Sequence, residues 1–241
     1  MKTFYSISQY PGKTGFKFYN YFFNKYQMDA RYVPVGCDPN NFTTTFNDLK
    51  SVASGISVSM PFKKEVLGYL DQASLEVENY NTCNTIDLQS KKVIGYNTDL
   101  HGVIASVSKI KYDDRIIILG NGSMGKMFYK YMKGIGYNYI KLISRSLNNY
   151  DQRHNPCDVF INCTSFGTVN TESPLTTLHA NTRLVIDCSI KKCSLFEQVR
   201  KQSIQYFSGL DFYKHQFKKQ FLIYTGIDIT MHDINLVPVD D

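Results

Sequence analysis

The chain contains no tryptophan, and no stretch of it approaches the roughly 20 consecutive apolar residues that cross a bilayer. Its opening, Met1-Lys2-Thr3-Phe4-Tyr5, lacks the apolar core of a signal peptide. A soluble, cytoplasmic protein with no membrane partner is therefore expected. The six cysteines, at positions 37, 83, 157, 163, 188 and 193, form no CxxC pair and have no histidine at zinc-finger spacing. That excludes a zinc knuckle, and no metal site is expected. Reduced, mostly structural thiols fit such a chain. The 18 tyrosines and 16 phenylalanines are spread along the chain with no repeat, as expected for core and cleft walls. The net charge of +6 is carried by scattered residues, and the densest cluster, Lys214 to Lys219, would wrap around several helix faces. Nucleic acid is thus not an expected partner. With 43% hydrophobic residues over 241 positions, the chain can bury one large core or two modest ones.

What is present alternates between strand and helix. Phe4 to Ser8 reads as a strand, Phe16 to Tyr26 as a helix, and Ala30 to Val35 as a second strand. Ser51 to Met60 reads as a strand closed by Pro61, and Phe62 to Leu70 as a short helix. Asn84 to Ile86 and Val93 to Tyr96 suggest a small strand pair. From Arg115 the pattern restarts. Ile116-Ile117-Ile118-Leu119 is a continuous apolar run suited to a strand buried on both faces, followed by a helix from Ser123 to Lys133. Strands are expected at 139–144, 159–163, 184–188 and 205–207, and helices at 196–202 and 210–223. The order predicts an α/β fold.

Between the apolar strand and its helix lies Gly120-Asn121-Gly122-Ser123-Met124-Gly125. In this context GxGxxG points to a dinucleotide. The first glycine allows the tight turn, the second lets backbone amides approach a pyrophosphate, and the third permits close helix–strand packing. The helix N-terminus adds free N–H groups and partial positive charge. At the end of the next strand stands Ser144-Arg145-Ser146, with no carboxylate for a ribose 2′-hydroxyl. A guanidinium there suits a 2′-phosphate, so NADP is the expected cofactor.

Four further segments resemble the shikimate dehydrogenase family, in the family's order. They are Ser57-Val58-Ser59-Met60-Pro61-Phe62-Lys63, Asn84-Thr85-Ile86, Gly95-Tyr96-Asn97-Thr98-Asp99, and Gly209-Leu210 followed by Gln216 and Phe221. The likeness runs from about Ser6 to Gly226. It is closest to the shikimate dehydrogenase-like subgroup, in which a proline-containing loop precedes a His-Asn pair; here that pair is Tyr19-Asn20.

The resemblance implies an N-terminal α/β substrate domain (1–100), a Rossmann-like NADP-binding domain (101–208), and a C-terminal helical segment (209–241) returning to the first domain. It implies an NADP-dependent alcohol dehydrogenase interconverting shikimate and 3-dehydroshikimate, as in aromatic amino acid biosynthesis, and working as a monomer or homodimer. Alternatives are quinate or another hydroxylated ring acid as substrate, or a non-catalytic dinucleotide sensor. Oxidising a secondary alcohol requires removal of the hydroxyl proton, and a lysine beside an aspartate, Lys63 with Asp99, can do that work. The residues alone do not decide which of the two takes the proton. The resemblance assigns Ser6 and Ser8 to the substrate carboxylate, and Ser59, Asn84 and Gln216 to ring hydroxyls. Thr164, in Asn162-Cys163-Thr164-Ser165-Phe166-Gly167, and Gly209 would lie at the cofactor. After Asp187 the family's Tyr and Pro are replaced in Cys188-Ser189-Ile190-Lys191-Lys192.

Overall fold

A computed structural model describes residues 1–90, 92–166, 172–190 and 194–239. Gly167, Lys191 and Lys192 of the motifs above lie outside the described residues, as does Cys193. The chain divides into two units, Met1–Asp99 with Gln216–Asp241, and Leu100–His215.

In the first unit β1 (Lys2–Ser8) is followed by α1 (Thr14–Lys25), β2 (Ala30–Gly36), α2 (Phe42–Lys50), β3 (Gly55–Val58), β4 (Gln72–Ala73), α3 (Leu75–Tyr80), β5 (Thr85–Asp87) and β6 (Ile94–Tyr96). These strands form one mixed sheet in the order β2-β1-β3-β5-β6-β4. β1 runs parallel to β2 and β3, while β5 returns antiparallel to β3 and β6. Helix α1 buries Phe18, Tyr19, Phe22 and Phe23, a stripe at helical spacing. The strand expected over Ser51 to Met60 narrows to four residues, because 51–54 are spent on the turn leaving α2. The short helix expected from Phe62 is a 3-10 segment over Glu65–Tyr69. Phe62 itself is fully buried and stacks on Phe42, with ring centroids 4.6 Å apart, which anchors the turn that carries Lys63.

The second unit begins within α4 (Asp99–Val107) and contains β7 (Ile116–Leu119), α5 (Ser123–Gly134), β8 (Ile140–Ile143), β9 (Val159–Asn162), β10 (Leu184–Asp187), α6 (Ser194–Lys201) and β11 (Gln205–Phe207). Its sheet is wholly parallel, in the order β11-β10-β9-β7-β8. Every residue of β7, β9 and β10 is buried, which accounts for the apolar residues that fill β7 and the first three positions of β9 and β10. Strand order reverses between β7 and β9, and the carboxyl ends at such a reversal are where doubly wound sheets hold ligands. The chain then enters α7 (Gly209–Thr225), whose residues from Gln216 onward belong to the first unit, and ends with α8 (Met231–Asn235). The fold is α/β with a Rossmann-like parallel sheet. Among the described residues no helix is long and apolar enough to cross a membrane, and no group of three or more His, Cys, Asp or Glu could hold a metal ion.

Candidate active site

In the first unit the expected residues gather at the carboxyl ends of β1 and β3. Ser6 and Ser8 lie two apart on β1 and so share a face. Ser6 is in register with Ser57 of β3, and just beyond β3 the Ser59 N–H donates to the Ile7 carbonyl (2.9 Å). Ser59 is exposed, Ser6 half-buried, and Ser8 buried. Beneath them burial raises the Tyr32 phenol above its ordinary value, partly offset by hydrogen bonds with Ser57 and Ser6.

Lys63 meets Asp99. Its Nζ lies 2.6 Å from Asp99 Oδ2, with the lysine side chain 17% exposed and the carboxylate 3%. The backbone holds the pair in place, since the Cys83 N–H donates to the Lys63 carbonyl (2.8 Å) and brings Lys63 beside Asn84. Asn84 is almost fully buried. Its Nδ2 donates to Asp99 Oδ1 (2.9 Å) and Thr98 Oγ1 (3.0 Å), and its Oδ1 accepts from the Thr98 N–H (2.8 Å) and the Thr85 hydroxyl (2.9 Å). An amide has two donors and one acceptor oxygen, so these bonds occupy Asn84 fully.

Gln216 is half-buried on α7, whereas Gln220, one turn later, is 2% exposed and bonded to Thr85 Oγ1 (2.7 Å). Tyr19, at the position of the subgroup's histidine, is fully buried. It stacks on Tyr32 at 4.1 Å and donates its hydroxyl to Gln220 Oε1 (2.9 Å). Sequence reasoning passed over Gln220 and Thr85. The signal available was a polar residue at the buried spacing of α7, one turn from Gln216 and beside Phe221.

In the second unit Gly120 has φ +111°, and a Cβ on it would lie 2.8 Å from the Cys163 carbonyl oxygen. On Gly125 a Cβ would stand 1.8 Å from the Gly120 oxygen, so only glycine lets α5 start this close to β7. Gly122 caps α5 and has open space on the side a Cβ would take, with Ser123 and Met124 opening the helix. Gly209 presses on the Ser189 backbone, where a Cβ would come within 2.2 Å of its oxygen.

At the end of β8, Ser144 and Ser146 join hydroxyls at 2.9 Å, and Asn121 Nδ2 reaches Ser146 Oγ at 3.4 Å. Arg145 is exposed, its guanidinium carbon 5.0 Å from the Tyr150 ring centroid. Beyond β9, Thr164 donates its hydroxyl to Asn162 Oδ1 (2.6 Å), and Asn162 Nδ2 donates to buried Asp187 (3.0 Å). The turn, the β8 end and the β9 end therefore present donors without a carboxylate at the ribose position.

Comparison with known proteins agrees with this architecture. Residues 15–86 match the family described as the shikimate dehydrogenase substrate binding domain. The shikimate dehydrogenase (NADP(+)) of Clostridium beijerinckii is 30% identical over 135 residues, 54% of this chain, and the chain spans about half (50%) of that relative's length. That of Caldanaerobacter subterraneus is 25% identical over 239 residues, covering 86% of this chain and 85% of the relative. Among solved structures, a chorismate mutase/shikimate 5-dehydrogenase fusion protein from Clostridium acetobutylicum superposes with a TM-score of 0.86 at 20% identity, covering 98% of this chain and 96% of that one. A shikimate 5-dehydrogenase from Thermus thermophilus, in complex with NADP(H) and shikimate, gives 0.82 at 15% identity and covers 97% of both chains. In its matched substrate-binding domain and in these relatives, this chain is similar to shikimate dehydrogenases.

Proposed function

We propose that the protein is an NADP-dependent oxidoreductase that interconverts shikimate and 3-dehydroshikimate. Residues 1–100 would form its substrate domain and 101–208 its NADP-binding domain. The observation that carries the reading is the Lys63–Asp99 pair, 2.6 Å apart and held in a largely buried setting by Asn84. An ammonium has three donors and the Asp99 bond uses one, so Lys63 can also hold the oxygen of a reacting hydroxyl. In the oxidising direction Lys63 and Asp99 together receive the hydroxyl proton, and in the reducing direction they return it. Ser6 and Ser8, on one face of β1, suit the carboxylate of the ring acid, and Ser59, just beyond β3, and Gln216 suit ring hydroxyls. Asn84 serves the pair by fixing the carboxylate.

The residues of the second unit fit the cofactor. The open side of Gly122 and the N-terminus of α5 suit a pyrophosphate, and Arg145 with Ser144 and Ser146 suits a 2′-phosphate. Thr164 borders the same strand ends. When bound, the oxidised cofactor supplies the hydride acceptor.

Purified protein mixed with shikimate or quinate and either NADP⁺ or NAD⁺ should form reduced nicotinamide, read by absorbance, fastest with shikimate and NADP⁺. Nucleotide binding without turnover of either ring acid would overturn the assignment.

A further inference from the structure

Behind the Lys63–Asp99 pair runs a line of buried polar side chains, three of which, Tyr19, Gln220 and Thr85, binding and proton transfer leave without a role. Tyr19, Gln220, Thr85, Asn84 and Asp99 are each no more than 2% exposed and are bonded in sequence. The Tyr19 hydroxyl lies 2.9 Å from Gln220 Oε1, and Gln220 Nε2 lies 2.7 Å from Thr85 Oγ1. Thr85 Oγ1 is 2.9 Å from Asn84 Oδ1, and Asn84 Nδ2 is 2.9 Å from Asp99 Oδ1.

The fixed donors and acceptors at each step give this line one direction. The Thr98 backbone N–H can only donate, so it turns Asn84 Oδ1 toward itself and leaves Nδ2 facing the carboxylate. The Asn84 backbone carbonyl can only accept, so the end of Gln220 that faces it at 3.4 Å is Nε2. Oε1 of Gln220 therefore faces Tyr19, and the phenol must donate. Thr85, between a donor on Gln220 and an acceptor on Asn84, receives from one and gives to the other. Every hydrogen in the series points toward Asp99, and bonds aligned in this way polarise one another. Loss of the Tyr19 hydroxyl would leave the buried Gln220 Oε1 without its donor and loosen the amide that holds Thr85. Thr85, less firmly held, would in turn hold Asn84 less firmly.

We propose that Tyr19, Gln220 and Thr85 are positioning residues for the proton-handling pair, acting through a one-way series of hydrogen bonds that ends on the Asp99 carboxylate. The proposal rests on the functional reading above, which makes Lys63 and Asp99 that pair. None of the three needs to touch substrate. The tyrosine at the histidine position of the subgroup then sets the geometry of the pair from within the core.

The test is a double-mutant cycle on the full chain with Tyr19→Phe, Thr85→Val and both together, beside Thr85→Ser. All of these preserve the size of the buried side chain or nearly so. Steady-state kcat and KM for shikimate are measured with NADP⁺. Tyr19→Phe and Thr85→Val should each lower kcat about threefold to tenfold, the effect of one displaced hydrogen bond. KM should stay within about twofold, as expected when only transition-state geometry suffers. Thr85→Ser, which keeps the hydroxyl, should stay close to wild type, and the double variant should be no slower than Thr85→Val alone. A double variant slowed by the product of the two single effects would overturn the series, and so would wild-type kcat in Thr85→Val.

In parallel, acylation of Lys63 by a small amine reagent is followed by peptide mass spectrometry, which needs no turnover. Loosening of Asp99 should raise that rate about threefold in Tyr19→Phe and in Thr85→Val. If the wild type oxidises no ring acid, the functional reading fails, and the series is judged on this labelling. Equal rates in all variants would overturn it.

Discussion

Replacing Asp99 by asparagine keeps the shape of the side chain and removes its charge. Asn84 Nδ2 donates at 2.9 Å and cannot accept, so the new amide must turn its oxygen toward Asn84. Its NH₂ then faces Lys63 Nζ across what is now a 2.6 Å bond, donor against donor. Lysine loses a charged hydrogen bond worth about 1.5–3 kcal/mol. If that loss is expressed in the transition state, kcat/KM for shikimate falls about 10- to 150-fold. The assay is initial-rate formation of reduced nicotinamide under saturating cofactor, with circular dichroism to show that the variant is folded. Lys63→Ala removes the member of the proposed proton-handling pair that would contact the reacting hydroxyl and should cost more, about 10²- to 10⁴-fold. A folded Asp99→Asn enzyme working within about threefold of wild type would refute the reasoning, because one full charged hydrogen bond predicts more than that.

Other consequences can be measured directly. Arg145→Ala should weaken NADP(H) about 10- to 150-fold by calorimetry and leave NAD(H) little changed, since one charged hydrogen bond to the 2′-phosphate is lost; equal affinity for NADP(H) would show that Arg145 makes no such contact. Gly125→Ala places a methyl group 1.8 Å from the Gly120 oxygen, so it should cost about 1–3 kcal/mol in urea unfolding and abolish tight nucleotide binding. Burial pushes the thiols of Cys83 and Cys157 up to about 12 and about 11, so both should resist thiol reagents at pH 8 until the protein unfolds, while half-buried Cys163 and Cys188 react before them in timed labelling. Asp158 is held below its ordinary carboxylate value of 3.8, chiefly by its hydrogen bond with Arg115. Its stabilising contribution is therefore present above pH 3.8 and lost as pH falls through the lower folded value. Thermal melts of wild type and Asp158→Asn should differ at neutral pH and converge in acid.

Where a signal is local, the sequence was enough. The four aliphatic residues of β7 and the glycines at 120 and 125 fix strand, turn and helix start within ten residues, because burial on both faces calls for aliphatic side chains, and the positive φ at 120 and the close backbone approach at 125 call for glycine. The motif order similarly led to Lys63 and Asp99. Elements whose stability comes from distant partners were missed. Helix α2 has Thr, Asn and Asp among its nine residues, and it holds because Phe42 and Phe46 pack with Phe62 and Tyr69. The two-residue β4 exists only as a partner of β6.

At the site the same division holds. Composition, motif and chain order determined that this protein has an α/β fold with a glycine turn suited to a dinucleotide, and that Lys63 and Asp99 belong to one motif set. Only the tertiary structure decided what Asn84 and Tyr19 do. A hydrogen bond depends on which donor faces which acceptor, and Tyr19 and Gln220 come within 2.9 Å although they stand 201 positions apart in the chain.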